Sequence, residues 1–453
     1  MAPERCSNQP PFFESPRAAP TLWTMARRAF SDPASVIPAT IYRAWTVKLP
    51  GPLPTYVLSH PDDIRRILVD KDEAFSRNAQ MRTLLRRAWG EGLAAAEGER
   101  WARQHRAAAP VFRPQAVERY APVMADVVRR TAAGWSTTTP LPLDPAIGRI
   151  VVEIVVRTLL NAGDDVDFDQ LAADTPKFVR MVSTFGALDA LPIPPSLLDW
   201  VRGMGRNLPE QRLRKLAMQL TQKNGDTPDA AQGFAAAIRG AGPLVDNVLG
   251  ILPAGYETTA RAAGWAIWLL ARYPHWQEAV HAEALSASDS TALVVTRRVV
   301  QEAMRLYPPA PLLARTALRP TALRDVTLRA GDVTMLALYA MHRHHQLWDG
   351  PDQFDPERFA AGTAYDRNAF LPFGAGPRMC IAAQFALTEI AVVVSELVKL
   401  YRFDPVEVEP EISLIVSTHA KNGLWVQAHK RGAAHSVPDS MRLGDHARHL
   451  QPT

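Results

Sequence analysis

The segment FLPFGAGPRMCIAAQFALTEIAVVVSEL, residues 370–397, constrains this chain more than any other. Gly374 and Gly376 let the backbone turn tightly, and the turn delivers Cys380 to the start of a long apolar helix. Backbone N–H groups at a helix N-terminus favour negative charge, so a thiolate placed there is stabilised and can ligate a metal. An isolated buried cysteine is more often an inert small apolar residue, so the surroundings of Cys380 decide its role. Cys6 and Cys380 are the chain's two cysteines, which excludes a disulfide framework and any C-x-x-C metal site. A reducing, cytoplasmic setting is the natural expectation.

Elsewhere the pattern is helical. From Trp101 to about Leu285 nearly every window has helical periodicity, broken by loops at 161–169, 192–195 and 225–229. TYVLSH at 55 alternates as a strand, and DDIRRILVD continues as a helix opened by Pro61 and Asp62. VTLRAGDVTMLAL has a Gly331-Asp332 turn between two strand-like halves, and Asn422-Gly423 in SLIVSTHAKNGLWVQAH predicts a hairpin. The expected fold is mainly α with a minor β-sheet region, in a single domain over residues 22–430. Residues 1–21, rich in proline, read as an irregular lead-in outside the core, and residues 431–453 as a loosely held polar tail.

Composition supports a globular domain, with 47% hydrophobic and 21% charged residues over 453 positions. A net charge of +5 without a basic stripe fits an acidic protein partner better than nucleic acid. No membrane anchor is expected, since the apolar stretches stop short of the ~18 to 20 residues that span a bilayer.

A second constellation lies in PLVDNVLGILPAGYETTARAAGWAIWLLARYP, residues 243–274. Gly250, Ala254 and Thr258 are spaced at i, i+4 and i+8 and share one helix face, with Gly255 beside them, a surface suited to a flat cofactor. Pro253 removes a helix hydrogen bond and predicts a kink that widens the groove there.

Phe373, Gly376, Arg378 and Cys380 match the F-x-x-G-x-R-x-C signature of the cytochrome P-450 family, the haem-thiolate monooxygenases, which this chain resembles. The resemblance continues in the family's order through WARQHRAAAPVF at 101, AGYETT at 254, EAMR at 302 and FDPERF at 354, and covers about the last 350 residues. It implies the single-domain cytochrome P-450 fold, haem b as cofactor and Cys380 as axial ligand of the haem iron. Thiolate ligation pushes electron density onto iron and favours O–O cleavage.

By the same resemblance, Glu257 and Thr258 bring protons to bound dioxygen, and Ala254, Gly255, Leu312 and Leu313 line the oxygen and substrate pocket. Trp101, His105, Arg315, Phe373, Gly374 and Arg378 contact the haem, His105 standing where many relatives have arginine. Glu302, Arg305 and Arg358 form a buried ion-pair triad that braces the cysteine loop. Ala382 departs from the usual glycine, and one methyl must be accommodated near the porphyrin. The implied reaction inserts one oxygen atom of O2 into an apolar molecule by hydroxylation or epoxidation. Electrons would come from a separate ferredoxin- or flavodoxin-type donor and its reductase. Arg100, Arg103 and Arg106 could dock that donor, although a solvated basic face is the commoner explanation for such runs.

Peroxide-driven or isomerase-type haem-thiolate enzymes share the cysteine but usually lack the acid-threonine pair, and a haem-binding sensor has no need of it. GEGLAA at 90 follows a basic run rather than a strand, so it carries no dinucleotide site. His342, His344 and His345 lack carboxylate or cysteine partners at ligand spacing and are expected in a polar loop.

Overall fold

The structure, a computed structural model, describes residues 9–17, 21, 33–51, 53–77, 82–83, 85–86, 89–162, 165–183, 208–223 and 233–432. The expected loops at 192–195 and 225–229, the start near Leu22, Cys6 and the tail from 433 onward lie outside the described residues.

In chain order the elements that position the site are β1 (Thr46–Leu49), β2 (Thr55–Leu58), α1 (Pro61–Val69), β3 (Phe75–Arg77), α2 (Gly98–Ala108), α3 (Leu143–Leu159), α4 (Leu244–Arg272), α5 (Val294–Leu306), β4 (Leu313–Ala317), β5 (Val333–Leu336), α6 (Ala383–Leu400), β6 (Tyr401–Pro405) and β7 (Trp425–Lys430). Helices dominate and the sheets are small, as the periodicity predicts. At 29 residues, α4 extends ~43 Å and runs through the core.

The approach of α3 to α4 depends on two glycines. A Cβ at Gly148 would lie 2.7 Å from the Tyr256 hydroxyl, and one at Gly255 would lie 3.1 Å from Val155 Cγ2. Gly255 therefore serves helix packing as well as the cavity described below. Pro253 is buried inside α4, and the helix continues through it.

The main sheet has the order β1-β2-β5-β4-β3, with β2 and β5 parallel and the other pairs antiparallel. Its far edge sets Arg77 of β3 directly opposite Arg315 of β4. Like charges facing each other across strands are destabilising, so this register needs a compensating anion.

Thr327–Leu328 and β5 flank the Gly331-Asp332 turn as expected, the first pairing with Thr321–Ala322 and the second with β2 and β4. Two expectations are corrected. Asn422-Gly423 is not a hairpin turn: Ile412–Ser413 pairs with His419–Ala420, while β7 pairs with β6 and Leu141–Pro142. Finally, Pro10, Pro11 and Phe13 of the proline-rich lead-in are buried. The Phe13 N–H donates to the Tyr339 hydroxyl at 2.9 Å, and the Tyr307 hydroxyl donates to the Pro11 carbonyl at 2.8 Å. This stretch is irregular in conformation yet belongs to the core.

Candidate active site and its relatives

Cys380 sits in a turn held by its own backbone. The Gly374 N–H donates to the Leu371 carbonyl, and the Cys380 N–H donates to the Phe373 carbonyl, each at 3.0 Å. Gly374 and Gly376 have φ of 72° and 73°, and a side chain at Gly376 would collide with the Leu68 carbonyl of α1. Glycine is required there twice over. The turn opens into α6 with Ala382 as its N-cap.

The thiol faces a cavity of about 490 Å³. Across from it runs the face of α4 carrying Gly250, Ala254 and Thr258, and the remaining walls include Leu312, Leu313, Phe373 and Gly374. Trp101, His105, Arg315 and Arg378 meet at one edge, joined by Arg77. Thus the expected proton-delivery, cofactor and pocket residues converge, apart from Glu257. Val155, Leu159, Phe234 and Ile251 complete a largely apolar interior.

Electrostatics divide this cavity. Arg378 stacks over the Trp101 ring, with its guanidinium carbon 4.3 Å from the centroid. Burial, with help from Arg77 and Arg315 and against the pull of Glu97, pushes Arg378 down to about 10. Burial and then Arg77 also lower Arg315, and burial followed by Arg378 lowers His105. The edge is thus a site for an anion, with His105 favouring its neutral form. Burial pushes the Cys380 thiol up, partly opposed by the Ala382 N–H. A bound metal ion deprotonates a coordinating thiol outright. One thiol in an apolar slot, faced by a small-residue helix and flanked by guanidiniums, is a donor set suited to haem with its two carboxylates.

The described residues place the acid-threonine pair on two sides of α4. Thr258 opens into the cavity and its hydroxyl donates to the Ala254 carbonyl at 2.8 Å. Glu257 turns away: it accepts from Ser417 Oγ at 2.8 Å and from Arg261 Nε at 3.2 Å, and Arg261 is held in turn by Asp144 at 2.5 Å. The Arg261 link is legible at i+4, whereas Ser417 and Asp144 arrive through the fold.

The three motif charges do pair. Arg305 and Glu302 are fully buried and joined through two bonds of 2.7 and 2.8 Å, and Arg358 Nε lies 3.5 Å from Glu302. Arg305 also donates to the carbonyls of His342, Pro351 and Gln353. The route from here to the cysteine turn passes through His342, whose Nε2 accepts from the Leu371 N–H at 3.1 Å.

The expected polar loop at 342–345 is corrected accordingly: His342 and His344 are buried, and His344 stacks on Trp45 at 3.8 Å. Among the described residues no group of histidine, cysteine and carboxylate side chains forms a metal site.

Burial, followed by the Arg305 charge, pushes His342 down to about 3, and burial pushes His344 down to about 4. Both are neutral when folded, and the unfolded chain takes up their protons below ~6.5. Their stabilisation is full above that pH and is lost as the pH falls towards 4 and then 3, by at most ~1.4 kcal/mol per pH unit for each. Denaturant unfolding from pH 7 to 4.5 is expected to show this slope, reduced by about one proton in His342→Gln. An identical slope in the variant would contradict the assignment.

Arg100, Arg103 and Arg106 are all exposed. Arg100 pairs with Glu91 at 2.9 Å, whereas Arg103 and Arg106 donate to the uncharged Ala241 and Ala102 carbonyls. Gly92 lies against the α4 backbone at Asp246 and offers no room for a dinucleotide.

Sequence reasoning did not reach Arg77, Glu97 or Glu389, and it gave His342 no structural role. Glu389 lines the cavity from α6, and burial pushes its carboxyl well above the ordinary range, opposed in part by the Thr259 hydroxyl. An acid inside an otherwise apolar helix was the available signal for it.

The family description "Cytochrome P450" matches residues 39–425. The chain belongs to the cytochrome P450 family. It is a haem-thiolate monooxygenase, an oxidoreductase whose cofactor is haem b and whose reaction uses O2 and a redox partner. Among similar P450s, "Cyclooctat-9-en-7-ol 5-monooxygenase" of Streptomyces melanosporofaciens is 27% identical, the match covering 79% of this chain and 82% of the relative. "Pentalenene oxygenase" of Streptomyces avermitilis is 27% identical over 88% of this chain and 92% of its own. "Cytochrome P450 714B1" of Oryza sativa is 28% identical over 82% and 77%. Among the described residues of this P450, no helix is long and apolar enough to cross a membrane.

Proposed function

We propose that this P450 oxygenates an apolar, ring-containing terpenoid by hydroxylation or epoxidation. The observation that carries the reading is the interior formed by Val155, Leu159, Phe234, Ile251, Leu312 and Leu313, which offers a substrate shape and apolar contact but few polar anchors. Two of its bacterial relatives bear names that contain terpenoid molecules, cyclooctat-9-en-7-ol and pentalenene.

When bound, haem would supply the activation of O2, and Cys380 would hold it through its thiolate. Arg315, Arg378, Trp101 and His105 hold the carboxylate edge of the cofactor, Arg378 being fixed over Trp101. Phe373 and Gly374 shape the thiolate side of the cavity, and Ala254 and Gly255 leave room on the opposite side. Thr258 presents a hydroxyl to that space, and Glu257 feeds protons to it after leaving Arg261 and Ser417. Glu302, Arg305 and Arg358 fix the 342–358 segment and, through His342, the cysteine turn. Electrons come from a separate ferredoxin- or flavodoxin-type protein with its reductase.

Titration of ferric protein with pentalenene, compared with a medium-chain fatty acid, tests the substrate class. A saturable shift of the Soret band from low to high spin with the terpenoid, at concentrations where the fatty acid gives none, is the expected result. A shift with the fatty acid alone would overturn it.

A further inference from the structure

The cavity edge carries more positive charge than its neighbours neutralise, and a single carboxylate organises it. Arg77 and Arg315 face each other across β3 and β4, and Arg378 joins them from the cysteine turn. Glu97, the N-cap residue of α2, lies between two of the three. Its Oε1 accepts from Arg77 Nε at 2.7 Å, and its Oε2 accepts from Arg378 Nη2 at 2.6 Å. The remaining amino groups of both arginines grip the same short stretch of backbone: Arg77 donates to the carbonyls of Ala94, Ala95 and Ala96, and Arg378 to that of Ala96. Arg315 donates to its neighbour's carbonyl at Ala314. Asp70, the other nearby acid, accepts from the Ala74 and Phe75 amides.

We propose that Glu97 is a positioning residue for the cofactor's carboxylates: it fixes Arg77 and Arg378 with one oxygen each and leaves the three-arginine cluster a surplus of two positive charges, matched to a dianion. This rests on the placement of Arg315 and Arg378 at the haem carboxylates proposed above. Without Glu97 the three guanidiniums repel one another in a poorly solvated space, where such repulsion is stronger than in water. Arg378 would then lose its charge-assisted bond and its fixed pose over Trp101.

The test uses the full-length, haem-loaded protein with Glu97→Gln and Glu97→Asp. Two quantities are measured without turnover: the ferric/ferrous midpoint potential, and the rate of haem transfer to excess apomyoglobin. In E97Q an uncompensated positive charge near the iron favours the less positive ferrous state, so the potential rises. Haem loss accelerates about tenfold, as expected when one charge-assisted contact of the clamp loosens. E97D keeps the charge but shortens the reach, so its potential stays at the wild-type value while haem loss still accelerates. Wild-type potential and haem loss in E97Q, or equal rises of potential in E97Q and E97D, would overturn the proposal. If E97Q loads no haem, E97D decides alone: faster loss at wild-type potential supports the role, and unchanged loss rejects it. Arg315→Gln and Arg378→Gln separate the two levels. If neither accelerates haem loss, the carboxylates lie elsewhere; if they do and the Glu97 variants do not, Glu97 alone is misassigned.

Discussion

Serine at position 380 abolishes turnover. Cys380→Ser leaves the turn and its hydrogen bonds intact, since both are made by backbone atoms, and stability is expected to change by less than ~1 kcal/mol. The hydroxyl cannot replace the thiolate as an electron-rich ligand, so product formation falls at least ~1,000-fold, equivalent to ~4 kcal/mol in activation free energy. Product yield per molecule of enzyme, measured beside a melting curve, separates this loss from unfolding. A variant that folds normally and retains turnover within tenfold of wild type would refute the role of Cys380.

Glu302→Gln has a comparable effect through stability. Glu302 and Arg305 are both fully buried, and removing one partner of such a pair costs ~3 to 5 kcal/mol because the other charge stays buried. A domain's whole stability is about 5 to 15 kcal/mol. Arg305 keeps its carbonyl partners, but with the glutamine oxygen still serving the Asp355 amide, the glutamine NH2 faces Arg305 Nε, donor against donor, and the guanidinium loses its countercharge. The expected result is little folded, haem-loaded protein at 37 °C and a large fall in the denaturation midpoint. Arg402→Ala, at a half-exposed pair with Asp404, serves as the contrast, with an expected change below ~1 kcal/mol. Equal, small effects of the two substitutions would show that burial does not set the contribution of the Glu302 pair.

What could be read from the sequence was whatever a short segment decides. The glycines around Cys380 and the Glu302-x-x-Arg305 spacing carry their geometry locally, and the structure brings these residues together as those spacings suggest. The face of Gly250, Ala254 and Thr258 followed from helical periodicity alone. Pairings between distant strands were not legible. Asn422-Gly423 has hairpin chemistry, yet β7 finds its partners in β6 and Leu141–Pro142, because strand choice depends on packing against the whole sheet. Arg77 meets Arg315 only through the register of β3 on β4, and no local pattern at either residue announces it. Glu257 shows the same limit: its place on α4 was readable, but its partner Ser417 comes from a loop near the other end of the chain.

The proline-rich lead-in failed for a related reason. Its backbone forms no regular element, so periodicity is silent, but buried tyrosines on two other segments supply the hydrogen-bonding groups that let it enter the core. His342 reads as part of a polar loop because nothing in the run of three histidines at 342–345 marks one of them for burial. Its function as an acceptor for the Leu371 amide exists only once α5 and the cysteine turn have come together.

The central claim, that Cys380 is the axial thiolate of a haem held in this cavity, is tested most directly by the absorption spectrum of the reduced, carbon monoxide-bound protein. The wild type is expected to show the long-wavelength Soret band of thiolate ligation, and Cys380→Ser to lose it while still binding haem. A wild-type band at the shorter wavelength of a neutral ligand, or a long-wavelength band that survives in Cys380→Ser, would contradict the account.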